Sequence, residues 1–268
     1  MSLKTVKRYF IITRSIFKNN TSFFKGGSSM GKIVAIGGGE LRFNETLSID
    51  KFIVQFSEIP NPKLLFIPTA SGESQGYIEI VKRIYGEQLG CRVDTLLLSD
   101  SGITENEIKH KILSSDIIYV GGGNTEKMME IWRENKVDKY LKEAYKNNIL
   151  LSGLSAGSIC WFQKGHSEFR NPDGCWDYTQ VQGIGLISAI HCPHYNESGR
   201  EGFDDMMKKE EIPGIAIENN CAIVIKDDMY KIIKSNNSSK AYLLQNHNGK
   251  LFKRELTAEN FTPLADIL

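Results

Sequence analysis

The chain has 268 residues, 41% of them hydrophobic and 24% charged, with a formal net charge of +1. That length buries a full core and makes one α/β domain the default expectation. No apolar run approaches the roughly 20 residues needed to span a bilayer, and the near-neutral balance argues against a nucleic-acid surface or a membrane partner.

The five cysteines (Cys91, Cys160, Cys175, Cys192, Cys221) are odd in number and lack CxxC spacing. This fits a reduced, cytoplasmic protein without a zinc site. Residues 1–30 stand apart, with six Lys/Arg and no Asp or Glu, so that the remainder carries 27 basic against 32 acidic residues. They lack helical periodicity and end in the linker-like "GGSSM". They read as a basic extension, either a transit-like leader or sequence upstream of a start at Met30. The second is favoured, because "MGKIVAIGGGE" begins like a first core strand. Residues 31–268 are then a single domain.

In chain order, "KIVAIGGG" predicts a strand ending in a glycine turn, and "KLLFIPTAS" a second strand. "GYIEIVKRIYGEQLG" has helical spacing and a stop at Gly90. "RVDTLLLS" is a third strand, and "TENEIKHKILSS" a helix whose Thr104 and Glu107 suit a capping box. "DIIYVGGGN" is a fourth strand, followed by the helical "TEKMMEIWRENKVDKYLKEAYKNN" and then by "ILLSGLSAGSICWF", a buried strand running into a helix. Later, "GIAIENNCAIVI", "MYKIIKS" and the hairpin-like "AYLLQNHNGKLFKREL" predict antiparallel additions at one edge. Strands alternating with helices imply a mostly parallel central sheet with helices on both faces. The glycine turns Gly37–Gly39, Gly121–Gly123 and Gly153–Gly157 all fall at strand C-termini, where such sheets gather their reactive groups.

The third turn, "GLSAG", has the pattern of a nucleophile elbow. Small neighbours let strand and helix pack closely while the Ser155 hydroxyl stands exposed, and the helix start supplies N–H donors for an oxyanion. A serine nucleophile needs a base. His110 lies in a charged helix, His247 in a polar turn and His166 in a polar loop. His191 and His194, in "AIHCPHYNE", end an apolar stretch at the reactive edge; one of the pair is the expected base, and Pro193 favours His194. For the acid, Glu218 is a lone carboxylate between apolar strands, where a charge is costly unless paired. Glu168, Asp173 and Asp177 compete with it. The order Ser, His, Glu departs from the Ser, acid, His order of α/β-hydrolases.

"VGGGNT", "GLSAGSICWF", "HCPHY" and "GIAIENNCAIVI" together resemble the serine peptidases of the dipeptidase E and cyanophycinase family, from about residue 31 to 235. The resemblance implies a class I glutamine amidotransferase-like (flavodoxin-like) fold, with Ser155 as nucleophile and His194 as base. It implies oxyanion amides from Gly123 and Ala156, with Asn124 and Thr125 shaping the pocket. Thr125 stands where cyanophycin-degrading relatives have Gln, so the turn looks more like the dipeptidase branch, whose substrates carry an N-terminal aspartate. Lys164, His166, Arg170 or Arg200 are the candidates to pair with that carboxylate, and Arg200 is carried forward as the substrate-binding one.

The expected protein is a serine exopeptidase for short peptides, monomeric or homodimeric, needing no metal or organic cofactor. A catalytically silent binding or sensing module, or a hydrolase of another small amide, is the alternative. "GGGE" lacks the spacing and the lysine of a nucleotide site.

Overall fold

The computed structural model describes residues 31–99, 102–170, 173 and 176–268; the basic extension 1–30 lies outside them. Strands β1 (Lys32–Ile36), β2 (Lys63–Ile67), β3 (Arg92–Thr95), β4 (Ile117–Val120) and β5 (Leu150–Leu154) pair in parallel in the order β1-β5-β4-β2-β3. These short apolar runs need burial on both sides, and they receive it. Ile33 and Ala35 of β1, with Leu65 and Ile67 of β2, join the core on one face; Val34, Ile36, Leu64 and Phe66 join the core on the other. The alternation is the pleat of an extended chain. Each fully buried aliphatic contributes about 1.5–3 kcal/mol.

Helices α1 (Leu47–Phe56) and α2 (Gln75–Val81) cover the second face. A wider π-type turn, Lys82–Gln88, prolongs α2, and the chain then turns at Gly90 with φ 75°, a conformation that favours glycine. Helices α3 (Glu105–Leu113), α4 (Thr125–Glu134) and α5 (Val137–Lys146) cover the first face. The capping box at α3 forms as the sequence implies: Thr104 Oγ1 accepts from Glu107 N, and Thr104 N donates to Glu107 Oε2. The long helical stretch from residue 125 is a helical pair, broken where Lys136 takes a left-handed φ of 58°. Helix α1 falls in a stretch for which the sequence reading named no element.

The second half of the chain departs further from expectation. Helix α6 (Ala156–Ile159) is only four residues long, and "CWF" leaves it for strand β6 (Phe162–Arg170). The segment expected as a loop after the elbow is a hairpin of β6 with β7 (Trp176–Gln182). The late strands are divided between two sheets. Strands β10 (Cys221–Lys226), β11 (Met229–Lys234) and β14 (Thr262–Pro263) extend the main sheet beyond β1 in antiparallel fashion. Strands β8 (Ile187–Cys192), β9 (Gly214–Ile217), β12 (Ala241–His247) and β13 (Lys250–Glu255) form a six-stranded second sheet with β6 and β7, in the order β13-β12-β9-β8-β6-β7. "GIAIENNCAIVI" is cut between them at Asn220, whose φ is 63°. Ile187, Ala189, Ile215 and Ile217 of the second sheet share one apolar core with the first. Helix α7 (Gly202–Met207) packs Phe203 and Met207 against its other face.

Candidate active site

Because β4, β5 and β1 are neighbours, their three glycine turns meet at one edge. The chain leaves β5 through Ser155, whose φ of 57° and ψ of −116° lie in a region that costs roughly 1–3 kcal/mol for a residue with a side chain. The turn survives because its surroundings hold it. Ser155 N donates to Ile36 O at 3.1 Å, and Ser158 N and Ile159 N donate to Ser155 O at 2.8 and 3.0 Å. Nothing larger than glycine fits at the flanks: a Cβ on Gly157 would lie 2.1 Å from Val120 O, and one on Gly153 2.2 Å from Gly157 O. The serine side chain does not cap α6.

Ser155 and His194 line the same cavity of about 550 Å³, together with Gly122, Leu154, Glu197 and Asn219. His194 follows β8 in the second sheet and has a left-handed φ of 52°. Its N–H donates to Gly37 O at 3.0 Å, which docks the second sheet onto the turn after β1. Imidazole Nδ1 lies 2.7 Å from Asn219 Oδ1 and 3.1 Å from Glu197 Oε1. Both are acceptors, so Nδ1 carries a hydrogen, and Nε2 is the ring nitrogen without these partners. Asn219 Nδ2 also donates to Glu197 Oε1 at 2.8 Å. The hydrogen bonds from His194 and Asn219 hold the Glu197 carboxyl at about 2, against the smaller opposing effect of its partial burial.

The carboxylate beside His194 is therefore Glu197, not Glu218. Glu218 Oε2 accepts from Lys240 N at 2.8 Å and Oε1 from the Tyr242 hydroxyl at 3.4 Å, tying the end of β9 to β12. The chain leaves β9 at Ile217, and the turn that follows carries Asn219 to the histidine while Glu218 stays against β12. The other carboxylates are also elsewhere. Glu168 pairs with Arg200 at 2.9 Å, Asp177 Oδ1 accepts from Tyr178 N, and Asp173 is an exposed turn residue. Both Glu197 and Asn219 escaped the sequence reading. The available signal was the His-x-x-Glu spacing of "HYNE".

His191 is fully buried and turned away from the cavity. Its Nε2 lies 2.8 Å from Ser158 Oγ and its Nδ1 2.8 Å from Ile215 O, and burial pushes the imidazole down to about 3. Gly123, with φ 140°, sits where a Cβ would be 2.1 Å from Ala70 O. The wall of that turn is Gly122. Asn124 and Thr125 do not shape the cavity: Asn124 Oδ1 caps α4 by accepting from Lys127 N, and buried Thr125 Oγ1 accepts from Ser167 Oγ.

The cations expected for a substrate carboxylate lie elsewhere too. Arg200, 2% exposed, donates to His166 O and Glu168 and stacks over Tyr178. Lys164 pairs with Glu210, and His166 is buried against Tyr178, its imidazole pushed down to about 4 by that burial. The Arg170 side chain lies outside the described ones. Among the described residues, the cavity is lined by one Lys or Arg, Arg42, paired with Glu40 at 3.0 Å, both well exposed.

A left-handed serine at a strand-to-helix turn, sharing a cleft with a histidine held by a carboxylate, defines a hydrolase of the serine type. The comparisons specify it. The chain belongs to peptidase family S51, whose sequence model matches residues 33–233. An uncharacterised peptidase of Bacillus subtilis, YgaJ, is 32% identical over 218 residues, covering 80% of this chain and 91% of its own. A similar uncharacterised peptidase of Listeria monocytogenes, Lmo0363, is 29% identical over 150 residues, covering 53% of this chain and 70% of its own.

Among solved structures, a peptidase from an acI-B1 actinobacterium matches with a TM-score of 0.65 at 19% identity, over 90% of this chain and all of that one. A protein assigned as peptidase E from Listeria monocytogenes matches at 0.59 and 23%, over 76% and 98%. They share the fold, an α/β sheet of flavodoxin-like type. The chain is thus a serine peptidase acting on peptides. No helix among the described residues is long and apolar enough to cross a membrane.

Proposed function

We propose that the protein is an exopeptidase for short peptides in which Ser155, His194 and Glu197 form the triad. The observation that carries this reading is His194 itself, its Nδ1 held by Glu197 and Asn219 in the cleft that contains Ser155. In this mechanism His194 Nε2 takes the Ser155 hydroxyl proton as Oγ attacks the scissile carbonyl. The oxyanion is met by the amides of Ala156 and Gly123; as the first residue of α6, Ala156 has an N–H with no intrahelical acceptor. The leaving amine receives the proton from His194, and water then releases the acyl group by the same steps. Glu197 stabilises the imidazolium formed in between.

A cavity of about 550 Å³ suits a ligand of dipeptide or tripeptide size. For Asp-X substrates, the side-chain carboxylate would take Arg42 from Glu40. An exposed pair of this kind is worth only about 0–1 kcal/mol, so the exchange is cheap. Glu40 and Glu45 in the same wall would meet the peptide's α-ammonium.

The test is a panel of Asp-X, Ala-X and Lys-X dipeptides given to the wild type and to Ser155→Ala. Turnover by the wild type with a loss of several orders of magnitude in the variant is expected. Equal turnover by a folded Ser155→Ala would remove the serine from the mechanism. Preference for Asp-X that disappears in Arg42→Gln would support Arg42 as the carboxylate partner.

A further inference from the structure

Behind the nucleophile lies a second serine–histidine pair that the mechanism leaves idle. Ser158 Oγ is 2.7 Å from the carbonyl oxygen of Ser155 and 2.8 Å from His191 Nε2, while His191 Nδ1 is 2.8 Å from Ile215 O. All three partners are fixed. The imidazole is fully buried and stacked on Phe162, with centroids 4.4 Å apart and planes 16° from parallel. Ser158 itself is 0% exposed. No substrate can reach this pair, so it is not a second catalytic dyad.

The protons can be assigned. A carbonyl only accepts, so Nδ1 must carry the hydrogen that it gives to Ile215 O. Burial keeps the imidazole neutral, so Nε2 is bare and accepts. The Ser158 hydroxyl therefore has one hydrogen and two acceptors, His191 Nε2 and the Ser155 carbonyl. That carbonyl already receives Ser158 N–H and Ile159 N–H. It belongs to the one peptide whose orientation decides where the Ser155 side chain points. Ser158 thus sits between the elbow of the first sheet and an imidazole tied to β9 of the second, and its one hydrogen serves the carbonyl or Nε2 in turn.

We propose that Ser158 and His191 are positioning residues, a buried brace that holds the strained Ser155 backbone with its hydroxyl aimed at the scissile carbonyl. The inference rests on Ser155 being the nucleophile. Loosening the brace lets the elbow relax from its left-handed conformation, so the nucleophile misses its line of attack while the rest of the cleft still binds substrate. The effect belongs in kcat and not in KM.

The experiment compares Ser158→Ala, His191→Gln and His191→Asn with the wild type. Active sites are counted by titration with a fluorophosphonate, and kcat per titrated site and KM are measured on the best dipeptide of the panel. Glutamine places a polar atom where Nε2 meets Ser158, whereas asparagine reaches only toward Ile215. Ser158→Ala and His191→Asn are expected to lose about ten- to a hundredfold in kcat per titrated site with KM within about twofold, and His191→Gln to recover much of that loss. Unchanged kcat per site in Ser158→Ala, in protein that has merely lost titratable sites, would make the pair a packing element and overturn the brace. Should Ser158→Ala not fold, equal kcat in the Gln and Asn variants would overturn it as well. A wild type that fluorophosphonate does not label, yet turns over peptide, overturns the nucleophile assignment itself and the brace with it.

Discussion

Asp50, on the buried side of α1, is fully inaccessible to solvent; its carboxylate accepts from the Tyr85 hydroxyl at 2.6 Å and from Thr46 Oγ1 at 2.8 Å. Burial outweighs those two hydrogen bonds and raises its pKa from 3.8 to about 6. The native state therefore holds a proton that the unfolded chain releases between pH 3.8 and 6. Stability from this group is fully present below pH 3.8 and is lost as the pH rises through 6. A shift of roughly two units at 1.36 kcal/mol each amounts to about 3 kcal/mol missing at pH 8.

Asp50→Asn keeps the shape and removes the ionisation. Urea unfolding of both proteins at pH 4.5, 6 and 8 should show the smallest difference at the lowest pH. At pH 8 the variant should lead by about 1–3 kcal/mol, the lower figure allowing for a poorer fit of the amide to two hydroxyl donors. A difference between the two proteins that stays constant across this range would show that Asp50 ionises normally and that burial does not govern it.

Three further outcomes are expected. Glu197→Gln should lower kcat about a hundredfold or more with a small change in KM, while Glu218→Gln, which keeps its place against Lys240, should leave kcat within a few-fold of the wild type; steady-state kinetics on one dipeptide decides between them. Gly38→Ala places a Cβ 2.0 Å from Asn219 Oδ1 and 2.4 Å from His194 Nδ1, so it should displace the histidine and cost about a hundredfold in turnover with the far-ultraviolet dichroism unchanged. Thr104→Ala removes the α3 cap and should lower the unfolding free energy by about 1 kcal/mol in urea titration without touching activity.

The first half of the chain was legible because its signals are local. Most strands there are short apolar runs with a glycine or proline stop, and α3 and α4 carry their own side-chain caps, whereas the uncapped α1 gave no comparable signal. The turn "GLSAG" announces itself for the same reason. What escaped depends on pairing partners far away in sequence. "KGHSEF" has too few apolar residues to declare a strand, and becomes one because β8 and β7 lie on either side of it. "GIAI" and "CAIVI" look alike, and only the left-handed Asn220 sends them to different sheets. The carboxylate beside His194 was misplaced by a similar margin. Glu218 and Asn219 differ by one position, but a turn begins between them just past the end of β9, and composition does not encode where it points each side chain. Glu197 sits three residues beyond His194 in a turn, and its place against the imidazole appears only once Asn219 is seen to hold it.

Strand β1 lies near the start of the described chain, yet its two neighbours are β5, residues 150–154, and β10, residues 221–226. During synthesis β2, β3 and β4 can align as soon as they emerge, while β1 waits with both hydrogen-bonding edges bare. Its first partner arrives more than a hundred residues later, and its second some seventy residues after that. Such an edge is adhesive toward other nascent chains. The glycine pair after β1 that receives His194 and Asn219 is completed on the same late schedule. The turn that carries Ser155 is therefore made well before the segment that carries His194.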